Sequence, residues 1–166
     1  MTKYKILLLG DGAVGKTSLV YRYVHSQFQQ TYKATLGTDI FAKTVELPSG
    51  PTELQIWDLS GQAHFSAIRG KFYQKANGGL LVFDLTNEVT LENCGKWIDE
   101  VTTSVGSEIP IYLVGNKLDL ADLRSVTDEK IKEIAESLNL EYTVTSAKTG
   151  DNVEQAFRRI AEKVVN

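Results

Sequence analysis

Gly10, Gly15, Lys16 and Thr17 fill the fixed positions of the pattern G-x-x-x-x-G-K-[ST], inside the stretch GDGAVGKTS at residues 10–18. These residue types in this order suit the holding of phosphate. Glycines let the backbone turn tightly, so that successive N–H groups face inward, and the N-terminus of a following helix adds its positive dipole end. The candidate cradle is Gly12, Ala13, Val14, Gly15, Lys16, Thr17 and Ser18. Lys16 adds a point charge for the outer phosphates, and the Thr17 hydroxyl suits a magnesium ion. A chance match somewhere in a chain of this composition is on the order of one in a hundred or less. A glycine-rich turn with an incidental lysine is the competing explanation, and the apolar strand before it and helix after it weigh against that.

Two further constellations complement the first. Asn116-Lys117-Leu118-Asp119 carries a carboxylate able to accept two hydrogen bonds from the ring N–H and exocyclic amine of guanine, a donor pair that adenine lacks. The Lys117 stem can lie on a purine plane, and Asn116 can tie its loop to the phosphate loop. Thr145-Ser146-Ala147-Lys148, after the last strand, can close a base pocket. The third constellation is Asp58-Leu59-Ser60-Gly61-Gln62. From the end of a strand Asp58 can reach magnesium through a water, Gly61 can offer its N–H to a terminal phosphate, and Gln62 can orient an attacking water. Taken alone, a β-turn explains this last segment equally well.

These groups need a scaffold that brings them to one edge. Apolar runs at 6–9, 79–83 and 109–114 have the length of buried strands. Residues 38–47 and 53–59 read as two more, joined by Pro48-Ser49-Gly50-Pro51 in an antiparallel hairpin. A short strand is expected at 142–144. Helical spacing marks residues 16–25, the set Leu91, Cys94, Trp97, Ile98 and Val101, the set Ile131, Ile134, Ala135 and Leu138, and the run from Val153 to Val164. Core packing is the reading for all these apolar positions. Alternation of this kind predicts an α/β fold, a mostly parallel sheet wrapped by helices with one antiparallel edge pair. Ligands bind such sheets at the carboxyl ends of the strands, and each constellation follows a strand.

Composition narrows the classes. The chain has 166 residues, enough for one domain with a real core, here 1–166. A formal net charge of −3 gives no basic field, so nucleic acid is not an expected partner. One cysteine, Cys94, excludes an internal disulfide framework and fits a reducing, cytoplasmic compartment. The N-terminal apolar run is too short for a signal peptide, and no stretch approaches membrane-spanning length.

From end to end the chain resembles a Ras-superfamily small GTPase, with its phosphate-loop, D-x-x-G-Q, N-K-x-D and S-A-K elements in the family order. The resemblance implies a P-loop NTPase G domain of six strands and five helices. It also implies a switch in which GTP and Mg²⁺ order two loops and hydrolysis to GDP releases them. On this likeness Phe28 meets the guanine, Tyr32 lies over the phosphates, and Thr35 ligates magnesium and reaches the γ-phosphate. The metal set is then Thr17, Thr35 and Asp58, and the catalytic residue is Gln62. An exchange factor, a GTPase-activating protein and effector proteins are implied partners. The segments LQIWD, LVFDLT and Phe72-Tyr73 look Rab-like, and Ile40, Trp57 and Phe72 match the apolar triad that Rab proteins present to partners. Ile40 replaces the usual phenylalanine, and Ala63-His64 stand where Glu-Arg is common. Rab and Ras proteins normally continue into a prenylated tail, and membrane contact is expected only through such a tail, which is absent from this chain. Two alternatives come from other classes. One is a GTP-binding scaffold with vestigial hydrolysis. The other is an ATP-using P-loop kinase, which leaves Asn116–Asp119 unexplained.

Overall fold

A computed structural model describes residues 1–26, 38–59 and 66–166. Its strands are β1 (Thr2–Leu9), β2 (Thr38–Leu47), β3 (Gly50–Leu59), β4 (Gly78–Asp84), β5 (Ile111–Asn116) and β6 (Tyr142–Val144). The helices are α1 (Lys16–His25), α2 (Ser66–Phe72), α3 (Glu88–Glu92), α4 (Cys94–Val105), α5 (Asp128–Ser137) and α6 (Val153–Val165). Because α3 and α4 are two pieces of one helical arm broken at Asn93, the described residues contain five α-helical units, as the family resemblance implies.

The sheet order is β2-β3-β1-β4-β5-β6. β1 pairs in parallel with β3 and β4, β4 with β5, and β5 with β6, while β2 pairs antiparallel with β3. Five carboxyl ends therefore share one edge. The chain leaves β1 toward one side of the sheet and later builds β4 on its other side, which makes the carboxyl end of β1 a topological switch point.

Period-two alternation divides the core. In β1, Ile6 and Leu8 join Leu19, Tyr23, Phe157 and Ile160 beneath α1 and α6, whereas Leu7 and Leu9 join Tyr73, Leu91, Trp97 and Ile131 beneath α2 to α5. Tyr23 and Phe157 stack with ring centres 4.1 Å apart, fastening α1 to α6. Every residue of β4 is buried, as befits a central strand covered on both faces.

Several boundaries differ from the sequence expectation: β1 starts at Thr2 rather than at residue 6, and at two others a proline gives the reason. β3 starts at Gly50, leaving only Pro48-Ser49 as the hairpin loop, because Pro51 is opposed by Glu46 of β2 and lies before the register of β1 begins at Thr52. A proline, lacking an N–H, is tolerated where one side of the strand has no ladder to feed. β5 runs Ile111–Asn116 rather than 109–114. Pro110 has no N–H to pair and contributes only its carbonyl, to Gly79 N at 3.0 Å.

Candidate functional site

Gly10 follows β1 directly and has φ +136°, and a Cβ there would lie 2.1 Å from the Val82 carbonyl oxygen. Gly15 has φ +96°, and its Cβ would lie 2.3 Å from Asn116 Nδ2. Only glycine fits either position. Between them Ala13 adopts φ 67°, and across the site Lys117 adopts φ 74°. Left-handed backbone at residues other than glycine is strained, and it persists where surrounding bonds over-determine it. Here the Lys117 ammonium donates to the Ala13 carbonyl at 2.8 Å, so the two strained residues hold each other.

The loop closes around Lys16. Its ammonium donates to the carbonyls of Gly10 at 2.8 Å and Asp11 at 2.9 Å. The side chain is buried, and burial pushes its pKa down to about 8, with the Asp58 and then the Asp11 carboxylates pulling upward and Arg69 pushing further down. α1 begins at this residue with no side-chain cap and no acidic residue in its first turn. By contrast, α3 is capped by the Asn87 side chain and α5 by Thr127. The uncapped start of α1 keeps its first N–H groups available to an anion.

At the second residue of α1, Thr17 Oγ1 donates to Asp58 Oδ2 at 2.5 Å. A hydroxyl and a carboxylate from the end of β3 thus lie side by side. Magnesium takes oxygen ligands and typically uses one or two protein side chains, with phosphates and waters completing its shell. The donor set fits that ion. Among the described residues no group of three or more His, Cys, Asp or Glu could hold a metal.

The base-side residues assemble from two strand ends. Asn116, the last residue of β5, donates to the Val14 carbonyl at 3.1 Å, and its own oxygen accepts from Thr145 Oγ1 at 3.1 Å and Ala147 N at 3.2 Å. Ser146 Oγ donates to Asp119 Oδ1 at 2.7 Å and accepts from Thr149 N at 3.0 Å. Asp119 is exposed and Ser146 buried, so the carboxylate stands at the mouth of the loop pair with its orientation set from beneath. Arg22 of α1 supports the second loop from behind, donating to the Ala147 carbonyl at 2.8 Å and to that of Lys148.

Asn116 therefore ties the base motif to the phosphate loop as its sequence position suggests. Gly12 and Ser18 flank the same turn. Phe28, Tyr32, Thr35, Gly61 and Gln62 lie outside the described residues.

Three participants carry no motif signal, Asp84, Asp11 and Arg69, while Thr145 heads the segment already expected to close the base pocket. Asp84, at the end of β4, pairs with Lys117 Nζ at 2.8 Å and so braces the base motif. A polar residue ending a wholly apolar strand was the available clue. Thr145 locks Asn116. Asp11 fills a variable position of the phosphate pattern, yet its carboxylate accepts from Asn93 Nδ2 at 2.7 Å and Trp97 Nε1 at 2.8 Å. Arg69, in α2, packs its guanidinium 4.4 Å from the centre of the Trp97 ring. Cys94 is buried and its thiol is pushed up to about 12, chiefly by that burial, which excludes it as a nucleophile.

A strained, amide-rich turn around a buried lysine, an oxygen pair beside it, and a carboxylate-bearing base motif hydrogen-bonded to the same turn make one continuous surface at the strand ends. The Ras family model matches residues 5–166. The chain belongs to the Ras family of small GTP-binding proteins that hydrolyse GTP and act as switches.

Proposed function

We propose that this chain is a magnesium-dependent GTP switch of Rab-like type that works with an exchange factor, an activating protein and effectors, in the cytoplasm and in membrane traffic. The observation that carries the nucleotide site is the stitching of the base motif to the phosphate loop, Asn116 to Val14 and Lys117 to Ala13. It sets a carboxylate for guanine at a fixed distance from an amide cradle for phosphates. In this reading the N–H groups of Gly12 to Ser18 bind the phosphates and Lys16 moves from backbone carbonyls onto phosphate oxygens. Asp119 selects guanine, with Ser146, Ala147 and Lys148 closing the pocket. Thr17, Thr35 and Asp58 are the residues that would hold magnesium, which supplies charge neutralisation at the outer phosphates. Gln62 orients the water, Gly61 marks the terminal phosphate through its N–H, and Phe28 and Tyr32 cover base and phosphates.

The partner surface is proposed at Ile40, Trp57 and Phe72. Ile40 faces Trp57 across β2 and β3 and is 57% exposed, and the Trp57 and Phe72 rings are 6.0 Å apart. Between Ser26 and Gly37 the sole charged residue is Lys33, so recognition there rests on apolar and uncharged polar contact.

One sample tests this reading. The nucleotide that copurifies should be GDP or GTP, and intrinsic single-turnover hydrolysis should be slow, on the order of 10⁻⁴ to 10⁻³ per second, with no arginine between residues 26 and 37 to assist in cis. Gln62→Leu should slow turnover further and leave GTP binding intact. Equal affinity for ATP, or unchanged turnover in Gln62→Leu, would overturn it.

A further inference from the structure

The phosphate loop is anchored on the side away from the base as well. Asp11 lends its carbonyl to the Lys16 ammonium, and its carboxylate is gripped by two residues of the α3–α4 arm, Asn93 and Trp97. Asn93 sits at the break in that arm, where its side chain makes no cap for α4 and reaches the phosphate loop instead. One turn along α4 from Trp97, Glu100 receives both arms of a bidentate bond from Arg69, Nε at 3.0 Å and an Nη at 2.8 Å, and also the Tyr73 hydroxyl. Arg69 in turn covers the Trp97 ring. Arg69, Tyr73 and Trp97 are all buried. A contiguous polar path therefore runs from α2 through Glu100, Arg69 and Trp97 to Asp11 and the carbonyl that holds Lys16. In sequence, α2 directly follows residues 60–65, which carry Gly61 and Gln62.

We propose that Asp11 is a positioning residue: through its carboxylate the α3–α4 arm sets the place of Lys16, and the Arg69–Glu100 pair makes that setting answer to α2. The shared element is Trp97, whose N–H bonds Asp11 and whose ring packs on Arg69, so that a shift of α2 that moves Trp97 also moves Asp11. The proposal rests on the reading of Lys16 as a phosphate ligand. A purely architectural role for these residues would affect stability without linking α2 to nucleotide retention.

Release of a fluorescent N-methylanthraniloyl-GDP from the full chain, chased with unlabelled GDP, separates the two. Asp11→Ala should speed release about tenfold, the equivalent of one hydrogen-bond-sized loss in the bound state. Asp11→Asn keeps an oxygen for Trp97 and can pair with a turned Asn93 amide, so it should restore release to within about twofold. Glu100→Gln should speed release by about threefold, and the double variant Asp11→Ala/Glu100→Gln should release no faster than Asp11→Ala, while their effects on thermal unfolding add. Should Asp11→Ala fail to fold, Trp97→Phe keeps an aromatic face for Arg69 and removes the N–H, and takes its place in the cycle. Unchanged release in Asp11→Ala, or multiplicative effects in the double variant, overturns the proposal. Lys16→Met is run beside them: if it retains the analogue as well as the parent does, the phosphate reading itself falls, whatever the cycle shows.

Discussion

Lys16 in the phosphate loop and Arg69 in α2 are each 6% exposed, yet the fold treats the two cations in opposite ways. Lys16 donates to backbone carbonyls, and burial lowers its pKa to about 8. Arg69 also loses hydration, but the hydrogen bonds and charge of Glu100 more than offset that and move its pKa upward. Neutral carbonyls satisfy the donors of the ammonium, and the nearby Asp58 and Asp11 carboxylates offset only part of the cost of burying its charge, so the Lys16 site still favours an added anion. A bidentate carboxylate compensates both donors and charge, so the Arg69 site is complete within the chain. The difference separates a cation built for a ligand from one built for a structure.

The largest expected effect comes from breaking the first site. Lys16→Met should lower GDP affinity by roughly 10²- to 10³-fold, since a charge-assisted contact to phosphate is lost. The same variant should leave the nucleotide-free chain as stable as before, or more so by up to about 1 kcal/mol, because an incompletely compensated buried charge is gone. Calorimetric titration with GDP and thermal melting without it check the two halves.

Arg69→Ala should do the reverse. It leaves the half-buried Glu100 carboxylate with its charge uncompensated and only the Tyr73 hydroxyl as a partner, at a cost of about 2–4 kcal/mol in unfolding free energy. Denaturant titration of the nucleotide-free chain measures it. A stability loss in Lys16→Met as large as that in Arg69→Ala would erase the contrast.

Asp119→Asn sharpens the comparison at the other end of the site. Its carboxylate is held by Ser146 Oγ and stands exposed, so the fold asks little of it. Exchange for an amide should cost roughly 10²-fold in GTP affinity, favour xanthosine triphosphate, and move the apo melting point little. Competition binding with the two nucleotides decides it, and full GTP affinity in the variant would refute the guanine assignment.

These contrasts explain what was legible in the sequence. The phosphate loop was, because its chemistry is local: Gly10, Gly15 and Lys16 lie within one turn, and both glycines stand where a Cβ would collide. Apolar runs and a turn signal located all six strands, and helical spacing located four of the five helical units but not α2, since such patterns report which face is buried. Period does not report what a buried residue's polar edge touches. Trp97 was placed in the core by its spacing and is indeed buried, but its indole N–H is spent on Asp11, 86 positions away. Arg69 and Glu100, 31 apart, are likewise unremarkable in sequence. Asp84 is paired with Lys117 only because β4 and β5 lie side by side. Long-range polar pairing is a property of the assembled sheet, and no window of the chain contains it.

The smallest effect is expected where cations and carboxylate meet in solvent. Glu141 accepts from Arg159 at 2.8 and 2.9 Å and pairs with Lys163. Those two partners, Lys163 first, hold its carboxyl below the ordinary value of 4.5. Both Arg159 bonds come from a single Nη rather than from the two-nitrogen fork of Arg69, and Glu141 is exposed, so water competes for every bond it makes. Glu141→Gln should therefore cost no more than about 0.5 kcal/mol at neutral pH and less in high salt. Because the folded pKa is depressed, the contribution is full above pH 4.5 and fades as pH falls through the lowered value. The difference between parent and variant should vanish once the carboxyl is protonated. Melting curves of both chains at pH 7 and in this acid range, at two salt concentrations, measure it. A loss at pH 7 rivalling that of Arg69→Ala would mean that burial is not what distinguishes the two clusters.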